Sequence, residues 1–225
     1  MMITRIEKAM LGLVFAVAAI IGFGAAGSPT EAHSITYMGD KPFAVDPTLR
    51  LGNLQASLDG TAAERAQTAA RANDAIAEIN GVSGSTFDYQ YSYFNSSIIW
   101  TGSTCSTAAW GNVTVVTYNI SSLGRTSWCT TSTQITRAAI RVDFRTWDNN
   151  GGTVASGVYD LESLLVHEMV HAAGFGRGSA PDHFTDSSAC PGGSLNNTMC
   201  SGLPSGTIWK RTLGTHDEHT LADFY

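Results

Sequence analysis

Five residues, His167-Glu168-Met169-Val170-His171, constrain this chain more than any others. The H-E-x-x-H spacing has a mechanical meaning if the segment is helical. At about 3.6 residues per turn the two histidines lie one above the other on a single face. Their imidazoles can then converge on one tetrahedral cation, and zinc is the ion that suits two imidazoles with a neighbouring general base. Glu168 follows the first histidine immediately and emerges beside such a cation, where a carboxylate can take a proton from water. Leu161, Leu164 and Leu165 precede the motif and predict a helix with a buried face, with Asp160 as its N-cap. Gly174 can take the left-handed conformation that ends a helix, so the helix is expected to stop three residues past His171. The competing reading has both histidines merely lining an apolar helix.

The N-terminus reads as a targeting segment. Arg5 and Lys8 precede an apolar stretch over 9–26, and small residues lead into Ser28-Pro29-Thr30. This pattern predicts a secretory signal and short N-terminal segment over 1–32, and one catalytic domain over 33–225. The alternative is a retained membrane anchor, since the stretch nears the length that spans a bilayer. Glycines at 12, 22, 24 and 27 and the small-residue exit favour cleavage, so the mature chain is expected to be secreted and extracellular, with no membrane contact.

The four cysteines fit an oxidising compartment. They allow three connectivities. Cys105 with Cys129 and Cys190 with Cys200 is the expected pairing, because each bridge closes a local loop. A second zinc held by cysteines would want a C-x-x-C pair, which the chain lacks. Charged residues make up only 14% of the chain, the net charge is −6, and Lys and Arg form no run. A nucleic-acid partner would want a basic patch, and none is expected here.

Along the rest of the chain, 34–38 has strand alternation, and 42–60 has little pattern. An alanine-rich helix is predicted over 61–79, with Ala69, Ala72, Ile76 and Ile79 on one stripe. Strands are predicted over 86–94, 113–118 and 139–144, with an irregular edge over 121–133 held by Cys129. Asn149-Asn150-Gly151-Gly152 is a turn. A last helix is expected from Thr215, with Thr215 as N-cap and Glu218 completing a capping box. His216 and His219 on it are three residues apart, a spacing more often structural than metal-binding.

H-E-x-x-H-x-x-G resembles the metzincin metallopeptidases, and Asn197-Thr198-Met199-Cys200 looks like their Met-turn, a methionine packed beneath the metal site. The order of elements is similar to that of the matrixin branch, closely from about 159 to 225 and more loosely from 35 to 148. The resemblance implies an α+β zincin-like catalytic domain: a twisted, mostly parallel sheet, an active-site helix, a Met-turn and a C-terminal helix. It also implies an edge strand that pairs with extended substrate, placed by position between Leu123 and Thr133. The metal would be Zn2+, held by His167 and His171, with Glu168 as general base and Met199 as floor.

Three departures limit the resemblance. The family's third ligand falls six residues after the second histidine, where this chain has Arg177, and a guanidinium cannot ligate zinc. No cysteine lies between the signal and Cys105 to serve as a prodomain switch, and no counterpart of the family's additional calcium and zinc loops is recognisable. The run Gly176-Arg177-Gly178-Ser179-Ala180-Pro181-Asp182-His183-Phe184 reads as a turn-rich excursion that can return a later ligand. His183 is the expected third ligand, and Asp182 the runner-up.

The expected function is a secreted zinc-dependent endopeptidase whose substrates are proteins or peptides. The alternatives are a non-catalytic secreted binding protein on a degenerate metzincin scaffold, supported by Arg177, and a zinc amidase acting on cell-wall material.

Overall fold

A computed structural model describes residues 42–43, 45–105, 112–176 and 197–225, all within the unit His33–Tyr225. The signal segment, the strand expected over 34–38, Arg177, Asp182, His183 and Cys190 lie outside the described residues.

The fold is α+β around a five-stranded, mostly parallel sheet. The strands are β1 (Thr48–Leu51), β2 (Gln90–Phe94), β3 (Val113–Thr117), β4 (Gly124–Thr130) and β5 (Ile135–Val142), in the spatial order β2-β1-β3-β5-β4. β1 pairs in parallel with β2 and β3, β3 in parallel with β5, and only β4 runs antiparallel, at the edge. A short helix α1 (Ala56–Asp59) and the long α2 (Ala62–Asn80) follow β1. Two-residue strands β6 (Trp147–Asp148) and β7 (Tyr159–Asp160) pair in parallel and lead into α3 (Leu161–Ala172). A 3-10 turn (Trp209–Arg211) and α4 (Thr215–Phe224) complete the chain. Among the described residues no helix is long and apolar enough to cross a membrane.

The core follows from strand alternation. Leu49 and Leu51, Val113 and Val115, and Ala138, Ile140 and Val142 all face one side of the sheet and are buried. Against them pack α2, through Ala72, Ala75, Ile76 and Ile79, and α3, through Leu161, Leu164, Leu165 and Met169. A smaller cluster of Ile98, Val116 and Ala139, with Trp100 against it, covers the opposite face. α2 starts where expected: Thr61 accepts from the Glu64 amide, and the Glu64 carboxylate accepts from the Thr61 amide at 2.7 Å.

Several strand expectations need correcting. β1 was unrecognised in the unpatterned stretch 42–60, yet it lies between β2 and β3. With four residues it is too short for period-two alternation to stand out. β2 begins at Gln90 and not at 86, because its pairing is limited by β1, whose Thr48 is level with Gln90. Phe87 and Tyr89 still enter the core, but as extended chain ahead of the strand. β5 spans Ile135–Val142, earlier than 139–144, since it must pair with both β3 and β4; Phe144 lies beyond it and is exposed. The stretch expected as an irregular edge contains the regular strand β4, with a bulge only at Cys129/Thr130.

Cys105 and Cys129 are joined by a disulfide. Cys200 is also disulfide-bonded, and its expected partner Cys190 lies outside the described residues.

Candidate active site

The motif helix α3 is fixed at both ends. Asp160 is its N-cap, accepting from the Ser163 amide at 2.8 Å. Arg211 from the 3-10 turn binds the same carboxylate at 2.6 and 2.9 Å, and Arg71 of α2 holds Glu162 at 2.7 Å. At the other end the helix stops at Ala172, and Gly174 turns the chain with φ 111°. The Ala173 and Gly174 amides close the last turn onto Met169 O and His171 O, both at 2.9 Å, and aromatic side chains add further donors. The Tyr89 hydroxyl donates to Met169 O at 2.8 Å, the Trp128 indole to His171 O at 2.9 Å, and the Tyr225 hydroxyl to Ala173 O at 2.6 Å. Three parts of the fold thereby set the rotation and height of the helix.

His167 and His171 project from one face, with ring centroids 4.8 Å apart and ring planes at 89°. The Nδ1 atoms lie 2.5 Å from Thr198 O and 2.9 Å from Phe175 O respectively. A carbonyl can only accept, so each Nδ1 carries the proton and each lone pair sits on Nε2. That is the tautomer a metal-ligating histidine needs, oriented by a carbonyl behind it. The donor set therefore fits zinc for two of its ligands. Among the described residues there is no group of three or more His, Cys, Asp or Glu that could hold a metal ion.

Glu168 shares a cleft of about 510 Å3 with both histidines, and its walls include Gly124, Thr126 and Trp128 of β4. The Thr126 hydroxyl lies 2.7 Å from Glu168 Oε2. Glu168 is only 4% exposed. Lys210 enters the same cleft from the 3-10 turn. It donates to Cys200 O and sits 3.4 Å from His167 Nδ1. Burial pulls its ammonium down to about 8, against the opposing pull of Asp217 and Glu168.

Residues 197–200, whose Thr198 carbonyl meets His167, form a tight turn closed by the Cys200 amide donating to Asn197 O at 3.1 Å, with Met199 fully buried. Asp217 anchors it. The carboxylate is fully buried and accepts from the amides of Thr198 at 2.5 Å, Met199 at 3.1 Å and Gly214 at 2.9 Å. Burial raises Asp217 to about 6, although those three amides and Lys210 pull the other way. The inward turn of Asp217 also corrects the expected cap of α4: Gly214 is the N-cap, while Thr215 and Glu218 are exposed. His216 is half-buried and His219 exposed on the same helix.

The structure thus brings together His167, Glu168 and His171 at one cleft, and joins the Asn197–Cys200 turn to His167 through Thr198 O. Sequence reasoning missed Thr126, Gly124, Trp128 and Lys210. Asp217 lies in the first turn of α4, one residue before the Glu218 expected to complete the capping box. No spacing rule in the sequence links these residues to the motif.

No family model matches the chain, and no curated protein matches it. Among solved structures, a chain from the structure of a chaperone-substrate complex is similar at 11% identity with a TM-score of 0.37. The match covers 82% of this chain and 35% of that one, so the chain spans about a third of that neighbour's length. A likeness this distant carries no argument about fold or function.

Proposed function

We propose that this protein is a secreted zinc-dependent endopeptidase with a metzincin-like catalytic domain of the matrixin type. The observation that carries the reading is the pair of Nδ1-anchored histidines flanking Glu168 at one cleft. Two imidazoles in the ligating tautomer suit zinc, and Glu168, which neighbours them in the cleft, suits a general base. The Cys105–Cys129 disulfide agrees with an oxidising, extracellular setting.

His167 and His171 would hold the metal with a third ligand, for which His183 is proposed. Zinc, when bound, supplies a Lewis acid that polarises a peptide carbonyl and acidifies water. Glu168 accepts the proton of the attacking water and returns it to the amide nitrogen as the C–N bond breaks. Among the described residues β4 is paired only with β5, so its outer edge can take an extended substrate as an added strand. Met199 and Asp217 keep the floor rigid without touching substrate.

Incubation of the zinc-loaded protein with casein and, separately, with peptidoglycan tests the reaction class. Casein cleavage is the expected result. Peptidoglycan digestion alone would indicate an amidase, and binding without cleavage of either would indicate a non-catalytic protein. For the third ligand, His183→Ala should lower zinc affinity by more than the roughly 10–100-fold that loss of an outer-shell partner costs, while Asp182→Ala and Arg177→Ala leave it nearly unchanged. Zinc titration against a chromophoric chelator measures this, and a His183→Ala protein with wild-type affinity would transfer the role to another residue.

A further inference from the structure

Glu168 is held by β4 as well as by its own helix. β4 shows α3 three alternate residues, Gly124, Thr126 and Trp128, consistent with the period-two alternation of a strand. Trp128 bonds the carbonyl of His171 at 2.9 Å. Thr126 Oγ1 lies 2.7 Å from Glu168 Oε2 and 3.0 Å from Glu168 O. A hydroxyl has one proton to give, and the carboxylate, charged and closer, is the stronger acceptor.

Gly124 acts by what it lacks. A Cβ built there would stand 2.4 Å from Glu168 Oε1, 2.8 Å from Glu168 Cδ and 2.8 Å from Leu164 Cδ1. The backbone at Gly124 is not among the positive-φ glycines, so conformation alone does not demand glycine at this position. Space for the carboxylate does.

We propose that Gly124 and Thr126 form a seat for the Glu168 carboxylate, with Thr126 as a positioning residue that fixes Oε2 and Gly124 as the gap that admits Oε1. The edge strand that would receive substrate then also sets where the general base stands. This rests on the peptidase reading for its catalytic consequence, but the seat itself is a property of the chain.

The test uses the full chain with Thr126→Val, Thr126→Ser and Gly124→Ala, each with its zinc content measured. With zinc content unchanged, Thr126→Val should lower kcat by roughly tenfold or more, within the range of general acid–base contributions, and leave KM little altered. Thr126→Ser should recover most of the loss, which a packing role for the threonine methyl would not allow. Gly124→Ala should displace the carboxylate and reduce kcat at least as much. Crystal structures of the metal-free variants give a readout independent of turnover: the Glu168 carboxylate should leave residue 126 in Thr126→Val and stay in Thr126→Ser. A Thr126→Val protein with wild-type kcat, or with the carboxylate unmoved, overturns the proposal. A zinc-loaded wild type that cleaves no peptide, yet keeps the Thr126–Glu168 bond in its crystal structure, refutes the peptidase reading and supports the seat.

Discussion

Glu168→Gln should bind zinc as the wild type does and lose about 10²–10⁴-fold in kcat, the usual contribution of a general acid–base residue. The two parts of this expectation have separate causes. Zinc would be held by His167 and His171, whose tautomers are set by Thr198 O and Phe175 O, and the substitution touches neither bond. Glutamine keeps the shape of the side chain and can still accept from Thr126, so the seat survives. Only the capacity to take up a proton is lost. Zinc analysis and casein turnover, measured side by side, check the prediction. Loss of zinc along with activity would make Glu168 a ligand, and unchanged turnover would remove it from the mechanism.

Asp217→Ala should destabilise the protein by about 3–5 kcal/mol, the range for stripping one partner from a buried charged network. The carboxylate is fully buried and receives three backbone amides, two of them from the turn that carries Met199. Alanine leaves all three donors without that acceptor, and each orphaned group costs about 1–3 kcal/mol. Lys210 also loses a nearby opposite charge. Urea denaturation gives the value, and a loss below about 1 kcal/mol would mean that the turn is held by other contacts.

The pH dependence of the same residue has a definite sign. The folded value of about 6 lies above the ordinary 3.8, so the folded state binds a proton that the unfolded chain has released between those values. The stabilisation linked to this protonation is fully present below about 3.8 and is lost as pH rises through 6. Relative to Asp217→Asn, which does not titrate, the wild type should gain on the order of 3 kcal/mol as pH falls from 7 to below 4. Using the difference between the two proteins cancels the other carboxylates.

What was legible in the sequence was local. The H-E-x-x-H spacing, the Asp160 cap and the Gly174 stop are set within a few residues, and each was readable from the physics of one helix. The helix expected over 61–79 is likewise local, and it forms over Ala62–Asn80. β1 was invisible because four residues give too little alternation, and its place in the sheet is decided by β2 and β3. The limits of β2 and β5 depended in the same way on the lengths of their neighbours. Residues that tune the site were harder still. Thr126 meets Glu168 from 42 positions away and Trp128 meets His171 from 43, with no spacing rule to connect them. Asp217 looked like the solvated first turn of an amphipathic helix, and only the fold turns it inward. Gly124 is the extreme case, since its part is a missing atom.

Zinc dependence is the central claim, and one titration addresses it. Zinc content and casein hydrolysis are measured on the purified protein, again after chelation, and again as zinc is added back. The account predicts one catalytic zinc per chain, activity that disappears with it, and recovery that saturates at one added equivalent. Full hydrolysis by the metal-free protein, or a zinc-loaded protein that cleaves nothing, would contradict it.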